Sequence, residues 1–334
     1  MATVKIGSAF FSKQELCFWL AGASSGSMNA NCAMNESAIN LPPMKIALQF
    51  LLAMGLAINA AATTTACSPV PGADQIWSKA SVHWVFIGEL HGSNETPAAF
   101  RDLVCDAIAQ GKHVTVALER PSSEQAALDN ILTAKDVAAA KESLLQLPGW
   151  KEVLDGRASE AMLRLLVSLR ELHKLHPDLK VVAFDAPYTG TAPGARDEAM
   201  GHALLSLRPT RPNDLVLILT GNIHAMQGWK RYDVAAMYLP PKEILSLEVT
   251  DRGGESWSED ATGGCGPWKG GVGDKDAKKP YGIFLDPSLA PFGKVDGVLS
   301  LGVPLTSSSP AAGEPSPVAA CRTKFLSAQQ TVPK

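Results

Sequence analysis

Short apolar runs separated by helical patterns constrain the fold of this chain most strongly. The runs are rich in β-branched and aromatic residues and are too short for buried helices. Their apolar positions are consecutive rather than alternating, which is typical of strands buried on both faces. Five such strands are predicted: VHWVFIGEL (82–90), HVTVALE (113–119), KVVAFDA (180–186), DLVLILTGN (214–222) and EILSLEVT (243–250).

Helical patterns lie between the predicted strands. Thr96 and Pro97 are expected to open the first helix, and Gly111 to close it. Further helices are predicted over about 157–175 and 194–208. Because parallel strands that alternate with helices are joined by right-handed crossovers, the sequence predicts an α/β fold, with a mostly parallel central sheet and helices on both faces.

Ionisable residues stand at the ends of the first four predicted strands. Glu89 and His91 end the first strand, Glu119 the second and Asp185 the third, and the fourth runs into His224. In a parallel α/β sheet, ligands bind beyond the carboxyl ends of the strands. The sequence therefore predicts one shared polar cleft. In the alternative interpretation, the three carboxylates only cap helix N-termini and have no function in a cleft.

Arg196 is predicted to join this cleft. It continues the core-facing stripe of the 194–208 helix, together with Met200 and Leu204, at spacings of three and four residues. A guanidinium there should find carboxylates, and the strand ends supply them. The remaining histidines are expected to be structural: His83, His113, His173, His176 and His202.

An apolar stretch near the front of the chain predicts export. Lys45 precedes IALQFLLAMGLAINAAA, and small residues lead to Cys67, so residues 44–67 are predicted to be a secretory signal. The stretch falls short of the roughly 20 residues that span a membrane. Cys67 is a candidate lipid-anchor site, and the alternative is a buried helix or an uncleaved anchor. Residues 1–43 are predicted to be a disordered or non-native extension.

The rest of the chain is predicted to form one α/β domain over residues 80–305. Residues 251–280 are rich in Gly, Asp and Lys and are expected to form a long loop, followed by strands at 281–287 and 295–302. Residues 306–334 are expected to be a flexible tail. In an exported protein Cys265 and Cys321 could form a disulfide, whereas Cys105 is expected to remain a free thiol.

The charge balance limits the classes of partner. The formal net charge is −3 and no basic stripe is present, which argues against nucleic acid as a partner. A small molecule is the expected ligand or substrate. The membrane is expected to be contacted only through a lipid on Cys67.

Five motifs, in order, resemble one superfamily. FIGELHGSNE, VALE, VVAFDA, ARDEAM and LILTGNIHA are similar to motifs of erythromycin-esterase-like proteins, ChaN-like haem-uptake lipoproteins and Tiki-type proteins, over residues 82–226. The resemblance implies a cleft built from Glu89, His91, Glu119, Arg196 and His224. The Glu-x-His-Gly opening looks like the esterase branch, whereas the envelope signal and YDVAAMYLPPKEILSLEV look more like the ChaN branch.

Three functions are consistent with these residues. The first is a periplasmic or lipid-anchored envelope protein that binds haem, iron or another divalent metal. In that protein His91 and His224 would be cofactor ligands, and Glu89 would join them as a metal ligand. One feature departs from the ChaN branch, which usually carries more histidines just after the first motif. Here Ser93 and Asn94 follow instead.

The second function is a hydrolase of an ester-type bond without a covalent intermediate. His91 would act as general base on water, with its tautomer held by Glu89 or Glu119. Arg196 would neutralise charge on the substrate oxygen, and His224 would be an acid or oxyanion donor, while Asp185 completes the catalytic set. The third function is a scaffold that keeps the fold but performs no chemistry.

Overall fold

The computed structural model describes residues 67–313 except 153, 190, 212, 260–263 and 275–277. Nine strands are present in this part of the chain: β1 Trp84–Glu89, β2 Val114–Pro121, β3 Lys180–Asp185, β4 Leu215–Gly221, β5 Ile244–Thr250, β6 Glu255–Glu259, β7 Cys265–Lys269, β8 Gly282–Phe284 and β9 Gly297–Ser300. The helices are α1 Asp74–Trp77, α2 Glu95–Ala109, α3 Gln125–Thr133, α4 Val137–Leu145, α5 Pro148–Lys151, α6 Glu160–Leu175, α7 Ala195–Leu205 and α8 Leu207–Thr210. Short 3₁₀ segments cover Ser122–Glu124, Ala235–Tyr238 and Pro287–Leu289.

Seven of the strands form one mixed sheet in the order β3-β2-β4-β1-β5-β9-β8. All neighbouring pairs are parallel except β8 with β9, which is antiparallel. The predicted α/β fold with a mostly parallel sheet is confirmed. The strands β1, β4, β2 and β3 are neighbours in the sheet and run parallel, so their carboxyl ends lie at the same edge.

The sheet is buried on both faces, as the continuous apolar runs predict. In β1, Val85 and Ile87 belong to the larger core, which α2, α3 and α6 cover. Trp84 and Phe86 point to the opposite face and pack with Met200 of α7. Successive strand residues alternate between faces, so a run that is apolar at every position feeds both cores.

Two helices do not begin where the sequence predicts: α2 begins earlier and α6 begins later. The helix α2 begins at Glu95 rather than at a Thr96 cap, and Ser93 Oγ accepts the Thr96 amide at 3.3 Å. The helix predicted from 157 begins at Glu160, because Ser159 caps it through Oγ to the Met162 amide at 3.3 Å. The second shift leaves residues 155–157 in a loop beside the sheet edge.

Residues 251–280 contain a two-stranded ribbon, so the prediction of one long loop there was wrong. The strands β6 and β7 pair antiparallel, with Ser256 opposite Trp268 and Glu259 opposite Cys265. The ribbon could not be predicted because its strands, ESWSE and CGPWK, contain no run of consecutive apolar residues. It is called the β6–β7 ribbon below.

The domain also extends beyond both predicted ends. Val70 is buried in the larger core, ahead of the predicted start at residue 80. After residue 305, the predicted flexible tail remains ordered to 313 where the structure describes it. Thr306 donates its amide to Glu95 Oε2 at 2.9 Å, and the Ser308 amide donates to the Gly92 carbonyl at 2.8 Å. Residues 1–66 and 314–334, with the predicted extension and most of the signal, lie outside the described residues.

A disulfide joins Cys67 to Cys105, with the Cα atoms 5.2 Å apart. The prediction of a free thiol at Cys105 was wrong, since the two cysteines are far apart in sequence but adjacent in the fold. A lipid anchor on Cys67 conflicts with this bond, because one sulfur cannot carry both links. Cys265 is also disulfide-bonded, while its predicted partner Cys321 lies outside the described residues. Among the described residues, no helix is both long enough and apolar enough to span a membrane.

Removing the Cys67–Cys105 disulfide is expected to destabilise the domain. The bond closes a loop with a sequence separation of 38 residues. Replacing both cysteines by Ala should therefore lower the free energy of unfolding by about 2–4 kcal/mol, chiefly by freeing the unfolded chain. Urea unfolding of both proteins without reductant measures the difference. Equal midpoints would contradict the prediction.

Candidate active site

All six site residues that the sequence predicts meet at the carboxyl edge of the sheet. Glu89 ends β1, Glu119 lies near the end of β2, and Asp185 ends β3. His224 follows β4 after a turn, in which its amide donates to the Gly221 carbonyl at 3.0 Å. His91 and Arg196 complete the set through direct contacts with these carboxylates.

Glu119 is the centre of the cluster. Its Oε1 accepts hydrogen bonds from Arg196 Nη2 at 2.7 Å and Arg157 Nη1 at 3.1 Å. Its Oε2 accepts from Thr220 Oγ1 and from the Gly221 amide, both at 2.7 Å. Burial alone would raise the pKa of Glu119, but neighbouring positive charges outweigh burial and hold it well below its usual range. Glu119 is therefore a fixed anion and a poor proton acceptor.

His91 lies between two buried carboxylates. Its Nδ1 is 2.9 Å from Glu89 Oε1, and its Nε2 is 3.5 Å from Glu119 Oε2. Burial alone would lower the pKa of His91, but the charges and hydrogen bonds of Glu119 and Glu89 raise it to about 10. The ring is consequently an imidazolium at neutral pH, which does not favour the hypothesis that His91 is the general base.

Glu89 differs from Glu119 in its environment. Only 2% of its surface is exposed, and one oxygen contacts His91, while Oε2 has no hydrogen-bond partner among the described residues. Burial raises the pKa of Glu89 by more than His91 lowers it. A carboxylate with a raised pKa and an unused oxygen is a better proton acceptor than Glu119.

Arg196 contacts the carboxylates, as the helical stripe predicts. It grips Asp185 with two hydrogen bonds, Nε to Oδ1 at 3.1 Å and Nη2 to Oδ2 at 2.8 Å. Its Nη1 lies 3.1 Å from His224 Nε2. Because arginine only donates, His224 Nε2 must accept, so Nδ1 carries the proton and donates to Asp197 Oδ1 at 2.5 Å. Arg196 and His224 thus hold the cluster together.

Three further members of the cluster were missed by sequence reasoning. Arg157 reaches Glu119 and, at 3.3 Å, Asp185, and it also binds Asp155. Asp197 fixes His224 and accepts the Ala235 amide at 3.0 Å. The sequence predicted a helix from residue 157, so the loop that carries Asp155 and Arg157 was not recognised. Gly156 and the capping Ser159 were the signals that could have revealed it.

Two glycines keep the cleft open. A Cβ on Gly221 would lie 3.1 Å from His91 Nε2 and 3.5 Å from Glu119 Oε2, so a side chain there would press on both. Gly92 has φ of +83°, and its Cβ would lie 1.9 Å from the Trp257 carbonyl. Only glycine fits this turn, which carries His91 into the cleft.

A cavity of about 420 Å³ opens over the cluster. Glu89, His91 and Asp155 line it. Glu119 contacts His91 without lining the cavity, and Arg196 links Glu119 to Asp185 and His224. The other wall residues come from neighbouring turns and from the β6–β7 ribbon with its exit: Leu90, Gly221, Asn222, Ser256, Ser258, Trp268, Lys269, Gly270 and Gly271. The cavity can bring a small molecule to the Glu89–His91 pair.

The residues present do not fit a resident metal or haem. The described part of the chain has no group of three or more His, Cys, Asp or Glu side chains placed to hold a metal ion. Both nitrogens of His91 face carboxylates, and those of His224 contact Arg196 and Asp197. Guanidiniums at the centre of the carboxylate group also oppose a metal cation. Metal binding by Glu89, His91 and His224 remains a prediction that these contacts do not favour.

The fold is similar to that of a solved esterase structure. A mutant of erythromycin esterase EreC in its open conformation superposes with a TM-score of 0.51, over 69% of this chain and 92% of that chain, at 10% sequence identity. The chain has the erythromycin esterase fold. No protein-family model matches this sequence, and no curated protein matches it. The likeness to the esterase therefore concerns the fold.

Two other solved structures are similar over large parts of their length. The type III effector HopBA1 covers 71% of this chain and 98% of its own, at 17% identity and a TM-score of 0.41. ChaN of Campylobacter jejuni, which shows cofacial haem binding, covers 53% of this chain and 84% of its own, at 13% identity and a TM-score of 0.31. Both structures superpose on this chain with lower TM-scores than the esterase does.

Proposed function

We propose that this chain is a hydrolase of ester-type bonds that uses a carboxyl–imidazole pair and no covalent intermediate. The observation that carries the proposal is the buried contact of 2.9 Å between Glu89 and His91 in the wall of the 420 Å³ cavity. Burial raises the pKa of Glu89, and the charges and hydrogen bonds of Glu119 and Glu89 raise the pKa of His91 against the effect of burial. Shifted pKa values are common at acid–base sites.

The pair divides the proton transfers. Glu89 accepts a proton from water, and the water oxygen bonds to the carbonyl carbon of the ester. His91 gives its Nε2 proton to the leaving alcohol oxygen as the carbon–oxygen ester bond breaks. The contact from Nε2 to Glu119 is long, at 3.5 Å, so this proton is the less tightly held one. The products are an alcohol and a carboxylic acid. Glu89 then releases its proton to solvent and His91 Nε2 takes one up, so the pair returns to its starting state.

The other cluster residues position this pair. Glu119 keeps His91 protonated and in place, and is itself fixed by Arg157 and Arg196. Asp185 and His224 orient Arg196. The role first expected of Arg196, contact with the substrate oxygen, gives way to a role in holding the carboxylates.

We also propose that the protein is exported. The Cys67–Cys105 disulfide and the bonded state of Cys265 support an oxidising compartment, since disulfides persist there and are rare in the cytosol. A periplasmic location fits the apolar stretch ahead of Cys67. Cysteine alkylation of the protein from fractionated cells tests this, because free Cys67 and Cys105 thiols in the native protein would contradict it.

Ester hydrolysis by residues 67–334 tests the proposed function. β-Naphthyl acetate is the first probe, with other carboxylic esters of varied size beside it. His91→Ala should lower the turnover of any hydrolysed ester by about 10²–10⁴-fold. His113→Ala is the matched control, because His113 is exposed and far from the cleft. Equal turnover in wild type and His91→Ala, or no hydrolysis of any ester, would overturn the proposal.

A haemin titration separates this proposal from the ligand-binding hypothesis. Without a free imidazole in the cleft, we expect no saturable Soret shift that depends on His91 or His224. A shift near one equivalent that is lost in His91→Ala and His224→Ala would instead support haem binding in this cleft.

A further inference from the structure

The β6–β7 ribbon forms a fixed wall of the cavity. Trp257 anchors the ribbon to the loops that carry His91 and Asp155. Its amide donates to the Gly92 carbonyl at 2.9 Å, and its indole Nε1 donates to the Leu154 carbonyl at 3.1 Å. Trp257 is buried against Leu154 and Cys265. The ribbon is therefore held at a set distance from His91 and Asp155, which adjoin these anchor points.

The opposite side of the ribbon faces the cavity. Side chains alternate along a strand, so Ser256 and Ser258 point away from the side on which Trp257 is buried. Trp268 is paired with Ser256 and lies on their side. All three line the cavity with Glu89 and the other residues of the cleft.

Trp268 exposes 43% of its surface, which is unusual for such a large apolar side chain. Its indole is nevertheless held in place, because Nε1 donates to the Ser258 carbonyl at 3.0 Å. The bond satisfies the polar end of the ring and leaves a fixed aromatic surface at the cavity. A ring with its polar atom paired and its surface open is suited to stacking.

Beyond Trp268 and Lys269, the cavity wall continues as two glycines, Gly270 and Gly271, which carry no side chain. A Cβ on Gly271 would lie 2.2 Å from Asp251 Oδ1, so a side chain there would displace the Asp251 carboxylate. A Cβ on Gly270 would meet nothing within 4 Å. The cavity wall at Gly270 is therefore open, with no side chain packed against it.

We infer that Trp268 is a specificity-determining residue that selects esters with a planar apolar group, by stacking that group at the cavity wall opposite Glu89 and His91. This inference rests on the proposed hydrolase function for the identity of the bond that is cut. The stacking itself needs only the cavity and the ring. Binding and hydrolysis can therefore be tested separately.

Binding is measured by isothermal titration calorimetry with an analogue of β-naphthyl acetate, the methyl ketone in which CH₂ replaces the ester oxygen. Trp268→Ala should weaken its affinity about tenfold or more, while Trp268→Phe should keep most of it. Phe292→Ala is the matched control, since Phe292 is 60% exposed and lies outside this cavity wall.

Hydrolysis is measured with β-naphthyl acetate and with ethyl acetate, which has no ring. Trp268→Ala should raise KM for the naphthyl ester about tenfold and change kcat little, and it should leave KM for ethyl acetate unchanged. Unchanged affinity for the ketone in Trp268→Ala would overturn the inference, even where hydrolysis persists. Trp268-dependent ketone binding without any ester hydrolysis would support the stacking site and overturn the proposed function.

Discussion

Replacing Glu89 by Gln is expected to lower kcat for ester hydrolysis by about 10²–10⁴-fold, because the amide cannot accept a proton from water. The substitution keeps the size of the side chain, so the fold and substrate affinity should change little. Glu198→Gln is the matched control, since Glu198 is an exposed carboxylate in the first turn of α7. Steady-state kinetics with β-naphthyl acetate measure the effect. A Glu89→Gln protein with wild-type kcat would refute the assignment of Glu89 as the base.

The pH dependence of the same reaction tests whether the active pair carries a single proton. Burial raises the pKa of Glu89, so activity should fall as pH drops through a value above the usual glutamate range. His91 must carry a proton to act as an acid, and its pKa of about 10 sets the alkaline limit. Activity should therefore fall as pH rises through about 10, and the two limits belong to the coupled pair. If His91 were the base, activity would instead rise toward pH 10.

Replacing Arg120 by Met is expected to lower the free energy of unfolding by about 3–5 kcal/mol. Arg120 is 1% exposed and binds Glu124 with two hydrogen bonds, at 2.9 and 2.8 Å. Its guanidinium also lies 4.5 Å from the centre of the Trp150 ring. The substitution leaves the Glu124 carboxylate buried without its counter-charge, which is the costly part of breaking such a pair.

A double variant distinguishes destabilisation by the unpaired Glu124 charge from destabilisation by the smaller side chain at position 120. Arg120→Met combined with Glu124→Leu removes both charges, so most of the stability should return. Activity should stay low in both variants, because Arg120 donates to the Arg157 carbonyl at 3.0 Å and holds the loop that carries Arg157. Urea unfolding and ester hydrolysis measure the two effects. A single variant within about 1 kcal/mol of wild type would contradict the prediction.

The sheet and most of the cluster could be predicted from the sequence, because both follow from patterns that are local along the chain. Continuous apolar runs identify buried parallel strands, and residues at their ends meet at one edge. Glu89, Glu119 and Asp185 could be placed for this reason. Arg196 could be placed because its helix has a clear apolar stripe.

The remaining features depend on contacts that no local pattern records. Arg157 enters the site from a loop whose position is set by Arg120 and by the cap at Ser159. The pairing of Cys67 with Cys105 depends on how α2 packs, and spacing alone cannot give such a pairing. The protonation of His91 follows from two carboxylates that approach it from different strands. Each case includes a deciding neighbour that is distant in sequence: Arg120 for Arg157, Cys105 for Cys67 and Glu119 for His91.

The contacts of residues 306–308 with Gly92, Asn94 and Glu95 have a consequence for when the cleft can form during synthesis. The turn that carries His91 is completed by residues that are synthesised more than 200 positions later. A ribosome adds roughly 5–20 residues per second, so the nascent chain spends at least ten seconds or so without a finished cleft. The cleft is therefore completed only after residue 308 has been made, long after the strands that carry Glu89 and Glu119.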